Sequence, residues 1–188
     1  MKTNEYRKMI ADKVLYKMGL WNELCKIGMP HIIGSYKMDM MAWNDLDIDI
    51  ENSEMSLDKL YDLTKFIINT FHPKWYEAKE EVNDEKKIVW FHGFEMMIDG
   101  ELWNFDLWFF DKETILKAEE YCENIMKKIN EKPGSKDCII QIKQDLIKRN
   151  LYNCNPYSSM DVYKTVLDHG ITNVDQFIEH YSKSKNTI

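Results

Sequence analysis

Between Asn44 and Ile50 the chain reads Asn-Asp-Leu-Asp-Ile-Asp-Ile, three aspartates alternating with three aliphatics. An extended strand sends successive side chains to opposite faces, so Leu46, Ile48 and Ile50 share one face and Asp45, Asp47 and Asp49 the other. The aliphatic face requires a core to cover it. The carboxylate face repels itself, the more so if partly buried, and it is stable where a cation sits on it. Closely spaced oxygen ligands suit Mg²⁺ better than zinc or copper. Just upstream, Gly34-Ser35 supplies a short turn where phosphate oxygens can approach the backbone. Together these features point to a site for a metal–nucleotide.

A chain of 188 residues can bury one sizeable core, or an α/β domain with a helical appendix. The net charge of −7 argues against a general nucleic-acid binder, whose affinity rests on Lys and Arg, and leaves room for a small or cationic partner. Cys25, Cys122, Cys138 and Cys154 are far apart and lack zinc-site spacing, which reads as reduced, buried thiols in a cytoplasmic protein. The polar start Met1-Lys2-Thr3-Asn4-Glu5 does not resemble a signal peptide, and no apolar run approaches the ~20 residues of a membrane span.

Apolar periodicity predicts a helix over residues 5–28, closed by Gly28 and Pro30, then a short strand from His31 to Ser35 and a short helix from Tyr36 to Trp43. The carboxylate strand follows, Asn52 to Ser56 supply turn and cap residues, and a helix spans about Leu57 to Phe71. Strands are expected at Trp75–Val82, Lys87–Ile98 and Leu102–Phe110, joined by the polar run Asn83–Lys86 and by Asp99-Gly100, a strong hairpin signal. From Lys112 the pattern is helical: Lys112–Asn130, Lys136–Asn150, a loop at Asn153–Tyr157, and two helices opened by the capping-box spacings Ser158–Asp161 and Thr172–Asp175. The last residues, from Lys183, read as a frayed tail. The fold class is α+β, a mixed sheet flanked by helices over residues 1–111 and a C-terminal helical bundle over 112–188.

Asp106 stands alone in an apolar strand, Leu102 to Phe110, and shares a face only with Asn104 among the polar residues there. A carboxylate in that setting is costly unless paired or metal-bound. If the strand lies beside Asp45–Asp49, the aspartates form an oxygen cage for one or two Mg²⁺ ions and leave a carboxylate to accept a proton. The competing account has Asp45 and Asp49 solvated and Asp106 capping something local; Gly34-Ser35 weighs against it. Glu95 and Glu101 are weaker rivals of Asp106 as third acid. His31 and His92 read as core or edge residues, and Trp43, Trp103, Trp108, Phe109 and Phe110 as core before stacking surfaces.

Ile33-Gly34-Ser35, a nine-residue spacer and Asp45-Leu46-Asp47-Ile48 resemble the signature of the polymerase-β-like nucleotidyltransferase superfamily, and Phe105-Asp106-Leu107 is similar to its third-acid strand. The order of elements is also similar to that of the small antibiotic nucleotidyltransferases of the aminoglycoside and lincosamide type. The resemblance implies that Asp45 and Asp47 bind Mg²⁺, that Asp106 completes the metal site or acts as base, and that Gly34 and Ser35 meet the triphosphate. The superfamily often has an Arg and a Gly a few residues after the turn. Here the run is Tyr36-Lys37-Met38-Asp39, with Lys37 the candidate phosphate contact and Asp39 a potential source of repulsion. Asp47 and Asp49 fit the motif with a longer spacer; Asn44 in the Ser position favours Asp45 and Asp47.

The resemblance implies an enzyme that transfers a nucleoside monophosphate from an NTP, ATP in the first instance, to a hydroxyl of a small acceptor such as an antibiotic, and hence a possible role in antibiotic resistance. A homodimer is compatible with it, because some relatives build the acceptor site between subunits. The alternatives are a degenerate nucleotide-binding or regulatory module, and an enzyme modifying a protein or tRNA.

Overall fold

The structure is a computed structural model that describes residues 3–52, 54–83, 86–152 and 156–185. Cys154, the turn residues Asp84 and Glu85, Ser53, most of the Asn153–Tyr157 loop and the end of the tail lie outside the described residues. The chain divides into two compact units, Met1–Cys122 and Glu123–Ile188.

The first unit contains α1 (Asn4–Asp12), a π-helical turn (Lys13–Lys17), α2 (Leu20–Leu24), β1 (Met29–Ile32), α3 (Gly34–Lys37), β2 (Asp45–Glu51), α4 (Leu57–Phe71), β3 (Trp75–Val82), β4 (Ile88–Ile98) and β5 (Glu101–Phe110). α5 (Lys112–Glu131) follows, then α6 (Ser135–Lys148), α7 (Ser159–His169) and α8 (Val174–Lys185). The five strands form one mixed sheet in the order β1-β2-β5-β4-β3, with β2 and β5 parallel and the other neighbours antiparallel. This is the α+β architecture expected from the sequence.

Pleating divides the sheet cleanly. Leu46, Ile48 and Ile50 of β2 join Phe105, Leu107 and Phe109 of β5 on one face, all buried in a core completed by Leu15, Leu20 and Leu24 and by Leu63, Ile67 and Phe71 of α4. Phe71, Phe94 and Phe105 stack in sequence there, with centroid separations of 5.2 and 4.6 Å. Trp103 and Phe109 lie on this face and are packing residues. In the second unit Ile139, Ile142, Leu146, Val162, Val166 and Phe177 are buried, and the Ser158–Asp161 capping box forms as expected.

Several local expectations are corrected. The helix over 5–28 is interrupted: Met18 N–H bonds to Lys13 O in a π turn, Gly19 is left-handed, and the chain restarts as α2. Met9 lies off the buried face of α1 and is exposed, while Ile10, Val14 and Leu15 are buried. β1 ends at Ile32, and Gly34-Ser35 opens α3 rather than closing a strand. No helix continues to Trp43, because Asp39 turns left-handed and the following loop is tied to α1. The last helix is capped by Asn173, whose Oδ1 accepts from Gln176 N–H at 3.0 Å, one residue after the expected Thr172. Cys25 is exposed rather than buried; it, Cys122 and Cys138 are free thiols. The Asp99-Gly100 hairpin forms as expected, with positive φ at both residues. No described helix is long and apolar enough to cross a membrane.

His92 is fully buried on the core face, where Nε2 lies 3.3 Å from Leu60 O, and burial lowers its pKa to about 4. The unfolded chain takes up this proton near pH 6.5 and the folded chain does not, so the stability contributed by neutral His92 is lost as pH falls from about 6.5 to 4. The loss is on the order of 3 kcal/mol. His92→Leu is expected to flatten the acid limb of the stability–pH curve, measured by urea unfolding of both proteins from pH 4 to 8.

Candidate active site

The face of the sheet opposite the core carries the three sequence-predicted aspartates Asp45, Asp47 and Asp106. The parallel register sets Asp45 beside Asn104, Asp47 beside Asp106 and Asp49 beside Trp108. Carboxylate oxygens of Asp45, Asp47 and Asp106 lie within 4.8 Å of one another, each side chain part-exposed. Burial is the main cause holding the Asp106 carboxyl above its ordinary pKa, with the nearby Glu95 adding to it and a hydrogen bond from Asn104 opposing it. Three convergent, part-exposed carboxylates form an oxygen-only donor set, which fits a hard divalent cation such as Mg²⁺.

The Gly34-Ser35 turn packs directly on this cluster. Gly34 has φ +64°, and a Cβ there would sit 2.3 Å from Asp47 Oδ2. Only glycine permits both the backbone conformation and the approach. Ser35 is buried, and its Oγ has no hydrogen-bond partner among the described residues. Lys37, one turn further on, is three-quarters buried, and its Nζ lies 3.2 Å from Glu119 Oε1. The same oxygen is 3.2 Å from His31 Nδ1. Glu119 of α5 therefore holds the cation of Lys37, and these contacts keep its own carboxyl below the ordinary range. Asp39 is turned to α1, where Asn4 Nδ2 and Lys8 Nζ donate to it at 2.8 and 3.0 Å. That arrangement removes the repulsion the sequence suggested.

Asp49 is separate from the three-carboxylate cluster. It is 2% exposed, its Oδ1 has no hydrogen-bond partner among the described residues, and burial together with Glu119 raises its pKa to about 7. Glu101 accepts from Asn44 Nδ2 at 3.2 Å, and Glu95 pairs across the sheet with Asn104. Trp108 and Phe110 lie on the site face, their rings stacked 5.5 Å apart. Three residues that sequence reasoning passed over bear on the site. Glu119 carries no local signal beyond its helix. Arg7 is buried, with Nε donating to Asn44 Oδ1 at 3.1 Å. Asn104 donates from Nδ2 to Asp45 Oδ1 at 2.8 Å; its place on the Asp106 face was the available signal.

No protein-family model matches the chain, and no curated protein sequence matches it. Among solved structures it is similar to a cytoplasmic RNA terminal U-transferase, at TM-score 0.55 and 15% identity, covering 89% of this chain and 49% of that one. It also matches the GLD-2/RNP-8 complex structure, at TM-score 0.45 and 15% identity over 86% of this chain and 57% of that one. A third match is the non-canonical poly(A) polymerase complex GLD-2–GLD-3, at TM-score 0.46 and 12% identity over 84% and 59%. The chain spans about half the length of the U-transferase it matches. At 15% identity the likeness to the U-transferase is one of fold.

Gly34→Ala places a methyl group against Asp47 and forces left-handed backbone on a residue that disfavours it by roughly 1–2 kcal/mol. The variant is expected to lower Tm in metal-free buffer, and Mn²⁺ is expected to raise the Tm of the wild type but not of the variant, both measured by differential scanning fluorimetry.

Proposed function

We propose that the chain is a divalent-metal-dependent nucleotidyltransferase that moves a nucleoside monophosphate from an NTP, with ATP the first donor to test, to a hydroxyl of a small acceptor. The observation that carries this reading is the convergence of Asp45, Asp47 and Asp106 beneath a glycine turn that admits close backbone approach. The donor set fits Mg²⁺, which Asp45, Asp47 and Asp106 would hold and which supplies charge neutralisation for phosphate oxygens.

The chain's own residues account for the remaining work. Gly34 lets the backbone of the turn pack against the Asp47 carboxylate, and Ser35 Oγ supplies an uncommitted donor for a phosphate oxygen. Lys37 provides positive charge at the edge of the turn, held there by Glu119. Asp106, with its pKa raised by burial, is the carboxylate best suited to take the acceptor proton. The acceptor oxygen forms a bond to the α-phosphorus, the bond to pyrophosphate breaks, and the proton passes to Asp106. Positioning and charge compensation carry most of the rate.

The acceptor assignment rests on charge. Glu95 adjoins the aspartates, while Lys37 is paired with Glu119 and Lys79 with Glu77 and Glu81. With a net charge of −7, such a surface suits a neutral or cationic small molecule, such as an aminoglycoside, better than an RNA strand. Pyrophosphate release across an NTP panel, with aminoglycosides, lincosamides and an RNA 3′ end as acceptors, tests this. Turnover should require Mg²⁺ and fall about 100-fold or more in Asp47→Asn. Nucleotide affinity unchanged by removing divalent metal would overturn the carboxylate role, and preference for RNA would overturn the acceptor assignment.

A further inference from the structure

Asn104 lies where β2 and β5 first pair, directly beside Asp45 and one same-face position before Asp106. Its Nδ2 donates to Asp45 Oδ1 at 2.8 Å, and Asp106 follows two residues later on the same face of β5. A carboxamide nitrogen carries two N–H donors, enough to serve a carboxylate on each side. The position of the amide is itself fixed. Asn104 N–H bonds to Asn44 O at 3.0 Å, and the Asn44 side chain is gripped by Arg7 Nε at 3.1 Å while donating to Leu102 O at 3.1 Å.

The chemistry of the group explains why an amide stands there. Asp45 and Asp106 repel, and without a tie their side chains relax apart. A lysine would relieve the repulsion by cancelling charge and would compete with any cation. A neutral donor orients both carboxylates and leaves their full negative charge for the ion. Building on the metal-site reading above, we infer that Asn104 is a positioning residue that preorganises Asp45 and Asp106 for divalent-cation binding.

The test is Mn²⁺ binding to the full chain by isothermal titration calorimetry, with the wild type, Asp47→Asn, Asn104→Ala, Asn104→Leu and Asn104→Ser. Asn104→Ala and the similarly sized Asn104→Leu are expected to raise the Mn²⁺ Kd about 10- to 100-fold, with Tm in metal-free buffer nearly unchanged. Asn104→Ser, which keeps one donor, should recover part of the affinity. Wild-type affinity in both Asn104→Ala and Asn104→Leu, with binding abolished by Asp47→Asn, would overturn the positioning role while leaving the metal site intact. Wild-type Mn²⁺ binding that is absent, or that survives Asp47→Asn, would instead overturn the metal-site reading and this inference with it.

Discussion

The parallel pairing of β2 with β5 is the constraint on which the site depends. Among the described residues it is the one parallel contact in the sheet, and its register sets Asp47 opposite Asp106 while stacking Leu46, Ile48 and Ile50 beside Phe105, Leu107 and Phe109 on the other face. Each fully buried aliphatic or aromatic side chain contributes about 1.5–3 kcal/mol. Six such groups outweigh the repulsion of three part-exposed carboxylates in water. A slip of one residue would turn every one of these side chains to the wrong face, so the core that stabilises the sheet also sets the alignment of the acids.

Around that pair the charges are arranged for a cation first and an anion second. Asp45, Asp47 and Asp106 converge, and Asn104 donates to Asp45 without cancelling charge. Asp39, which could have repelled phosphate, is drawn away by Asn4 and Lys8. Lys37 is within reach of the turn but bound to Glu119. An incoming polyphosphate therefore meets a net negative surface until a divalent ion offsets it, which is the physical reason for the metal dependence proposed here.

Much of this is legible in the sequence wherever one local rule governs the outcome. The period-two alternation of Asp45–Ile50, the positive-φ turn at Asp99-Gly100 and the Ser158–Asp161 cap each form as their chemistry requires. Asn104 and Asp106 sharing a face also follows from the pleat alone. The misreadings arise where tertiary contacts override local pattern. Apolar periodicity continues through Gly19 and conceals the π turn before it. The loop after Lys37 has helical composition, yet its path is set by Asn4, Arg7 and Lys8 from α1. Glu119 reaches the site from a distant helix, and nothing near it in the chain marks that contact.

The most direct test of the central claim is an anomalous-difference map from crystals soaked in Mn²⁺ with a nonhydrolysable NTP. The account predicts a peak about 2.0–2.2 Å from carboxylate oxygens of Asp45, Asp47 and Asp106, beside Gly34 and with Asp49 outside the coordination sphere. A peak held by Asp49 instead, or a nucleotide ordered elsewhere with no ion among these aspartates, would contradict it.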